Sequence, residues 1–362
     1  MSLIAEDKSS FFKNLKIIEL SSVLAGPLVG TFFAELGAQV LKIENSKTNG
    51  DVTRSWKSSM SSTNYSSYYA SANYGKKTVF SDLSQSENLQ YLYDSLLHTD
   101  ILIVNFKPGD AAKFKLDYNT LKKINPKLIY ASINGFGEDS ERVAYDAILQ
   151  AETGFMSMNG ESGSPAAKMP VALIDVLAAH QLKEGILVAL IQRGFTQVGC
   201  KVSVSLYDSA IASLVNQATN WLMDKNIPLK MGSAHPNIAP YGDVFMTQDQ
   251  KEILFAIGTN KHFEILCDIL ELKSLPNDER FEVNANRVKN RKELVALLQS
   301  AIEKWKRDDL YFELIHKNIP VGIIKNIAEV FDEPKSQALL LHENVGGVES
   351  IRPQTAVFKI EN

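Results

Sequence analysis

Between residues 15 and 135 the chain repeats one pattern, a short aliphatic run followed by a segment whose apolar residues recur at helical spacing. "LKIIEL" (15–20), "QVLKIE" (39–44), "KKTVFSDL" (76–83), "DILIVNF" (100–106) and "KLIYASING" (127–135) have the length and β-branched content of strands. "AGPLVGTFFAELGA" (25–38), with Pro27 near its first turn, "SENLQYLYDSLLH" (86–98) and "YNTLKKIN" (118–125) are the helices between them. Strands alternating with helices predict an α/β fold, a doubly wound, Rossmann-like parallel sheet. Such sheets bind ligands outside the carboxyl ends of their strands. Chemistry is therefore expected in the loops "SSVLAGP" (21–27), "NFKPGD" (105–110) and "NGFGEDSERVAYD" (134–146).

The pattern changes further along. From about 177 to 223 a long helical stretch is broken by "RGFTQVGCKVSVSL", where Gly194 and Gly199 bracket a turn before an alternating strand. "DVFMTQDQKEILFAIG" has the form of a hairpin around "TQDQK", with helices following at 262–272 and 291–304. At 362 residues the chain exceeds one ordinary core. The expected division is a large domain over 1–224, a smaller α+β domain over 225–325, and a return to the large domain over 326–362. The Ser-rich piece at 58–75 reads as a polar loop leading into a helix or strand.

Composition excludes several function classes. A formal net charge of -4 argues against nonspecific nucleic-acid binding. No apolar run is long enough to span a membrane, and the N-terminal residues lack the apolar core of a secretory signal. Cys200 and Cys267 form neither a disulfide framework nor a CxxC pair, which points to a reducing cytoplasm. His98, His180, His235, His262, His316 and His342 show no HxxxH or HExxH spacing, so no metal site is expected. The first loop reads AGPLVG rather than GxGxxG, and neither GxxxxGK[ST] nor GxSxG occurs.

What remains is acidic. Asp146 in "AYDAILQAETG" and Asp175 in "ALIDVLAA" stand among apolar residues, and Asp175 has no Lys or Arg within six positions on either side. An unpaired carboxylate there would lose hydration or hold its proton unless the fold or a ligand supplied a partner. Spacing alone leaves a structural role open for both, as a helix cap or a buried hydrogen bond.

Several segments in order resemble the family III CoA-transferases (CaiB/BaiF family), which include formyl-CoA transferase, carnitine CoA-transferase and the alpha-methylacyl-CoA racemases. They are "LAGPLVGTFFAELGAQVLKIE", "GDVTRSW", "NYGKKTV", "DILIVNFKPG", "NPKLIYASINGFGE", "AYDAILQAETGFMSMNG", "ALIDVLAA", "GSAHPNIAPYGDVF", "DERFEVNANRV" and "IPVGIIKNIAEV". The resemblance implies an aspartate nucleophile at Asp175, acyl-CoA and a small carboxylic acid as substrates, no permanently bound cofactor, and a homodimer of interlocked subunits. It further implies that Val23, Ala25, Asn105 and Phe106 line the CoA groove, with Tyr145 and Asp146 beside it. Lys76 and Lys113 match positions that approach the CoA phosphates. Two departures stand out: Leu24 replaces the Gln of formyl-CoA transferase, and Asn45 occupies a position often Arg. The racemase relatives carry a His-Asp pair where this chain has Tyr145-Asp146, and a phenol of pKa about 10 replaces histidine poorly as a base. His235 discriminates little between the two activities. Succinyl-CoA is the expected donor, and Arg142 is a candidate partner for a second carboxylate. The alternatives are a racemase-like enzyme and a noncatalytic acyl-CoA-binding protein. The chain stops at Asn362, short of the long family members, so part of the usual subunit contact is expected to be missing.

Overall fold

The computed structural model describes residues 11–58, 63, 65–107, 109–345 and 347–361. The first ten residues, where a secretory signal was sought, lie outside the described residues, as do 59–62 and 64 of the Ser-rich piece. The chain divides into two compact units, each with its own core.

The first unit holds the described residues of Met1–Thr153, Met169–Val215 and Lys335–Asn362. Its centre is a six-stranded sheet in the order β3-β2-β1-β4-β5-β6, every neighbouring pair parallel. The strands are β1 (Lys16–Leu20), β2 (Gln39–Asn45), β3 (Lys77–Ser81), β4 (Ile101–Val104), β5 (Ile129–Asn134) and β6 (Lys201–Ser205). Chain order reverses between β1 and β4, and a doubly wound sheet opens its ligand crevice at such a point. Both faces of the middle strands are covered, so Ile101, Leu102, Ile103 and Val104 are all buried. One face packs Ile18, Leu102 and Val104 against Leu92, Leu96 and Leu121. On the other, helix α1 (Ala25–Glu35) and the long helix Leu173–Thr196 pack on each other and on the sheet.

The glycines of AGPLVG provide clearance rather than a phosphate cradle. A Cβ at Gly26 would collide with Ser21, and one at Gly30 with the carboxylate of Glu19. The long helix starts at Leu173, where the sequence suggested a start near 177. Its first turn is held from outside its own segment, so its beginning is invisible in local spacing. After β6 the chain returns to helix at Leu206–Ala212. A hairpin of β10 (Leu340–Val345) and β11 (Val348–Pro353) precedes a tail anchored on Glu35, whose carboxylate accepts from Arg352, Thr355 and Ala356.

The second unit comprises Gly154–Lys168 and Asn216–Pro334. It carries the antiparallel sheet β7 (Tyr241–Met246), β8 (Glu252–Ala256) and β9 (Val321–Ile323), with the expected β7–β8 hairpin. Phe245, Phe255, Phe263, Phe281 and Leu298 lie in its core. No helix among the described residues is long and apolar enough to cross a membrane, and no group of His, Cys, Asp and Glu among them is arranged to hold a metal ion.

Candidate active site

Loops beyond the carboxyl ends of β1, β4 and β5 enclose a cavity of about 330 Å³ at the point where strand order reverses. Val23, Leu24, Ala25, Asn105, Phe106, Tyr145 and Asp175 all line it. Five residues named from resemblance as binding groups thus line the same cavity as the expected nucleophile. Leu24, the Gln departure, lines the same cavity.

Asp175 sits in the first turn of the long helix, 8% exposed. That helix has Ala172 at its N-cap and no side-chain cap. Asp146 supplies what is missing: its Oδ1 accepts from the Ile174 N–H at 2.8 Å, and its Oδ2 accepts from Gln150 Nε2 at 2.7 Å. Gln150 in turn accepts from the Met169 N–H at 2.8 Å, so both sides of the approach to the helix are pinned. A carboxylate from another segment therefore does the work of an N-cap and orients the turn that carries Asp175. Asp146 lies behind the cavity rather than in its lining, while Tyr145 is 54% exposed on the cavity side.

The same arrangement sets the electrostatics. Burial, then the charge of Asp146, pushes the Asp175 carboxyl from 3.8 up to about 7. The helix N-terminus favours the anion, but desolvation and the neighbouring carboxylate win. Tyr68, which sequence reasoning did not single out, is pushed up to about 12 by burial and by the charges of Asp175, Asp146 and Asp51. It therefore keeps its proton at neutral pH. Nothing in the Ser-rich stretch marks Tyr68 from its neighbours. Replacing Asp146 with Asn is expected to move the Asp175 titration to lower pH, because the like charge is gone while one oxygen can still accept from Ile174. The acid limb of a pH–activity profile, or a carboxyl-resolved NMR titration, measures that shift.

Asn105 uses its amide on the protein itself. Its Oδ1 accepts from Ser22 N–H at 3.0 Å and its Nδ2 donates to Ser22 C=O at 2.8 Å, which ties the loop after β1 to the loop after β4. A second cavity of about 380 Å³ adjoins the first along Ser22, Phe106 and Lys107, and Asn45 lines it. Asn45 accepts from the Lys47 N–H at 3.0 Å and so caps the turn Ser46–Thr48. Lys107 borders both cavities, and its place in "NFKPG" was the signal available for it. Lys113 is exposed, on the short helix Asp110–Lys113 that follows.

Lys76 does not join these groups. Its side chain is fully enclosed, with Nζ 2.8 Å from Glu19 and donating to Pro27 C=O and Ala72 C=O at 2.8 Å each. Burial lowers its ammonium to about 7. It lines neither cavity, because its hydrogen bonds point into the core beneath α1.

Residues 12–360 match the family described as CoA-transferase family III. A succinate–glutarate CoA-transferase of Agrobacterium fabrum is 36% identical over 90% of this chain and 82% of its own length. An acetyl-CoA:oxalate CoA-transferase of Acetobacter aceti is 33% identical over 93% of this chain and 86% of its own. A CaiB/BaiF family protein from Brucella suis, known by crystal structure, superposes with a TM-score of 0.83 at 36% identity, covering 96% of this chain and 92% of that one.

Proposed function

This chain belongs to CoA-transferase family III, and on that premise we propose that it moves CoA from succinyl-CoA to a second small carboxylic acid through a covalent intermediate on Asp175. The observation that carries this is the placement of Asp175: a buried carboxyl lining the cavity, its proton affinity raised to near neutrality by burial and by the charge of Asp146.

The exchange runs in four balanced steps. The Asp175 carboxylate attacks the thioester carbonyl; a C–O bond forms, the C–S bond breaks, and a mixed anhydride and CoA thiolate result. The thiolate then attacks the aspartyl carbonyl, releasing the donor as its free acid anion and leaving an aspartyl-CoA thioester. The acceptor carboxylate attacks that thioester, giving a second anhydride and the thiolate again. Attack of the thiolate on the acceptor's acyl carbon completes the transfer and restores Asp175. A carboxylate suits the task because its acyl derivatives are as reactive as the thioester, whereas a serine ester would be too stable to return the acyl group. Each tetrahedral oxyanion needs donors, and the first turn of α1, uncapped by any side chain, opens on this wall.

The two adjoining cavities suit a long ligand, the thioester end beside Asp175 and the nucleotide end beyond Phe106 and Lys107. Arg142 supports a dicarboxylic substrate. Arg142 lines the first cavity; its guanidinium lies 3.9 Å from the Phe136 ring centre and pairs with Glu152 at 2.6 Å, both side chains being exposed. A ligand carboxylate can take Glu152's place. The relative named for succinate and glutarate supports the same class of acid. Racemisation is less well supported, since both oxygens of Asp146 already accept from protein donors. Val188, Ile191 and Phe195 expose an apolar face of the long helix that suits a second copy of the chain, and the two free cysteines suit the cytoplasm.

The test is to incubate the protein with a panel of acyl-CoAs led by succinyl-CoA, add borohydride, and map peptides by mass spectrometry. Reduction of an aspartyl-CoA thioester to the alcohol is expected at Asp175; no change with any donor, while CoA still binds, would refute the covalent route. Because only the anion attacks, kcat/KM in the unliganded protein is expected to fall about tenfold per pH unit below about 7 and to level above it. A profile flat down to pH 5 would contradict it.

A further inference from the structure

One residue in the cavity wall has a backbone conformation its side chain disfavours. Val23 lies at φ +72°, in the left-handed region. A β-branched residue is an outlier there, and such strain persists only where the surroundings impose it. The imposing group is Asp51. The Val23 N–H donates to Asp51 Oδ2 at 3.1 Å and Oδ1 at 3.3 Å. Asp51 does not line the cavity that holds Asp175, although it borders the adjoining one; its hydrogen bond to the Val23 N–H links it to the first cavity's lining.

Asp51 is itself fixed from several sides. Lys42 Nζ lies 2.9 Å from its Oδ2, with both side chains fully enclosed. The Thr53 N–H and hydroxyl donate to its Oδ1 at 3.0 and 2.8 Å, and its own N–H donates to Glu44 at 2.9 Å. Burial opposes its ionisation, but Lys42 and these donors hold the carboxyl below the ordinary range, so the acceptor stays charged. Lys42 is held in turn by Asn73 at 2.9 Å and Glu19 at 3.4 Å. On the other side of the loop, Asn105 grips both polar groups of Ser22. Residues 22 and 23 are thus clamped from two directions immediately before α1, whose N-cap Leu24 and first residue Ala25 face the cavity.

We propose that Asp51 is a positioning residue: by holding Val23 in the left-handed conformation it aims the uncapped first turn of α1 at the reacting carbonyl. This rests on transfer through Asp175. With the Val23 N–H turned inward, the chain enters α1 at the angle that leaves its first amides free for an oxyanion, which needs donors fixed in advance. The cation that keeps Asp51 charged stands outside the cavity, and so cannot quench the nucleophile.

A double-mutant cycle tests the proposal, because glycine adopts positive φ without strain. Asp51→Asn, Val23→Gly and the double variant would be compared for kcat, for KM of succinyl-CoA and of the acceptor, and for Tm. Asp51→Asn alone is expected to lower kcat at least about tenfold with each KM within about threefold, as misplacement of catalytic donors does. In the Val23→Gly background the same change should cost less than about threefold in kcat, and its loss of Tm should shrink as well. Equal losses in both backgrounds, whether of activity or of folding, would overturn the proposal and leave Asp51 a plain counter-ion of Lys42. Borohydride trapping on the unmutated protein separates the two levels. A protein that shows no adduct at Asp175 fails the transferase reading, while the Tm arm still decides whether Asp51 holds the strained residue.

Discussion

Asp175→Asn is expected to lose transfer by about 10⁴-fold or more in kcat, and at the same time to unfold at higher denaturant than the unmutated protein above pH 7. The first effect follows from removal of the proposed nucleophile. The second follows from linkage. The Asp175 carboxyl titrates near 3.8 in an unstructured chain and at about 7 in the fold, so between those values the native state binds the extra proton. Stability from this group is complete below about pH 4, declines as pH rises through 7, and stays low beyond. A shift of this size is worth on the order of 4 kcal/mol, at about 1.4 kcal/mol per unit. The amide cannot ionise and escapes that loss. Urea unfolding of both proteins at pH 5 and pH 8 measures it: the variant's advantage should be large at pH 8 and small at pH 5. An advantage independent of pH would show that the carboxyl is not held in its protonated form, and a variant with normal turnover would end the nucleophile assignment.

That burial cost explains why Asp175 stood out in the sequence, although the family resemblance rather than spacing gave it the role of nucleophile. A carboxylate among Ile174, Val176, Leu177 and Ala178 contradicts its surroundings, and local contradictions of this kind collect at functional sites. The strands were legible for the opposite reason: runs such as "ILIV" satisfy length, β-branching and burial together. Asp146 was harder. Its isolation could be seen, and a capping role was among the options, but the N–H it caps belongs to Ile174 in a different helix. Asp51 gave less still, because it appears in "GDVTRSW" as an ordinary polar turn residue and acquires meaning only beside Val23 and Lys42. Lys76 shows the limit most plainly. A lysine one residue before a strand reads as a surface cation, and only the fold brings Glu19 beneath it and removes the water. Local sequence reports propensity and pattern; it does not report which distant charge a side chain will meet.

The enclosed charges beneath α1 carry the other large expected effect. Lys42 comes from β2, between Leu41 and Ile43, and neither it nor Glu19 exposes any side-chain surface. Two lysines, Lys42 and Lys76, the second with its ammonium lowered to about 7 by burial, face two carboxylates, Glu19 and Asp51. Such a cluster adds little net stability as a whole, since desolvation offsets attraction, but removing one member leaves a charge uncompensated. Lys42→Ala is therefore expected to cost about 3–5 kcal/mol in urea unfolding near neutral pH. Part of that cost could come from the cavity left by the side chain. Lys42→Met separates the two causes, because it refills the volume without restoring charge. A methionine variant nearly as unstable as the alanine variant would assign the loss to Asp51 and Glu19 stranded away from water. Recovery to near the unmutated stability would assign it to packing. In the first case stability should return on acidification, as Asp51 takes up the proton that Lys42 had kept from it; in the second, pH should leave the difference between the variants unchanged.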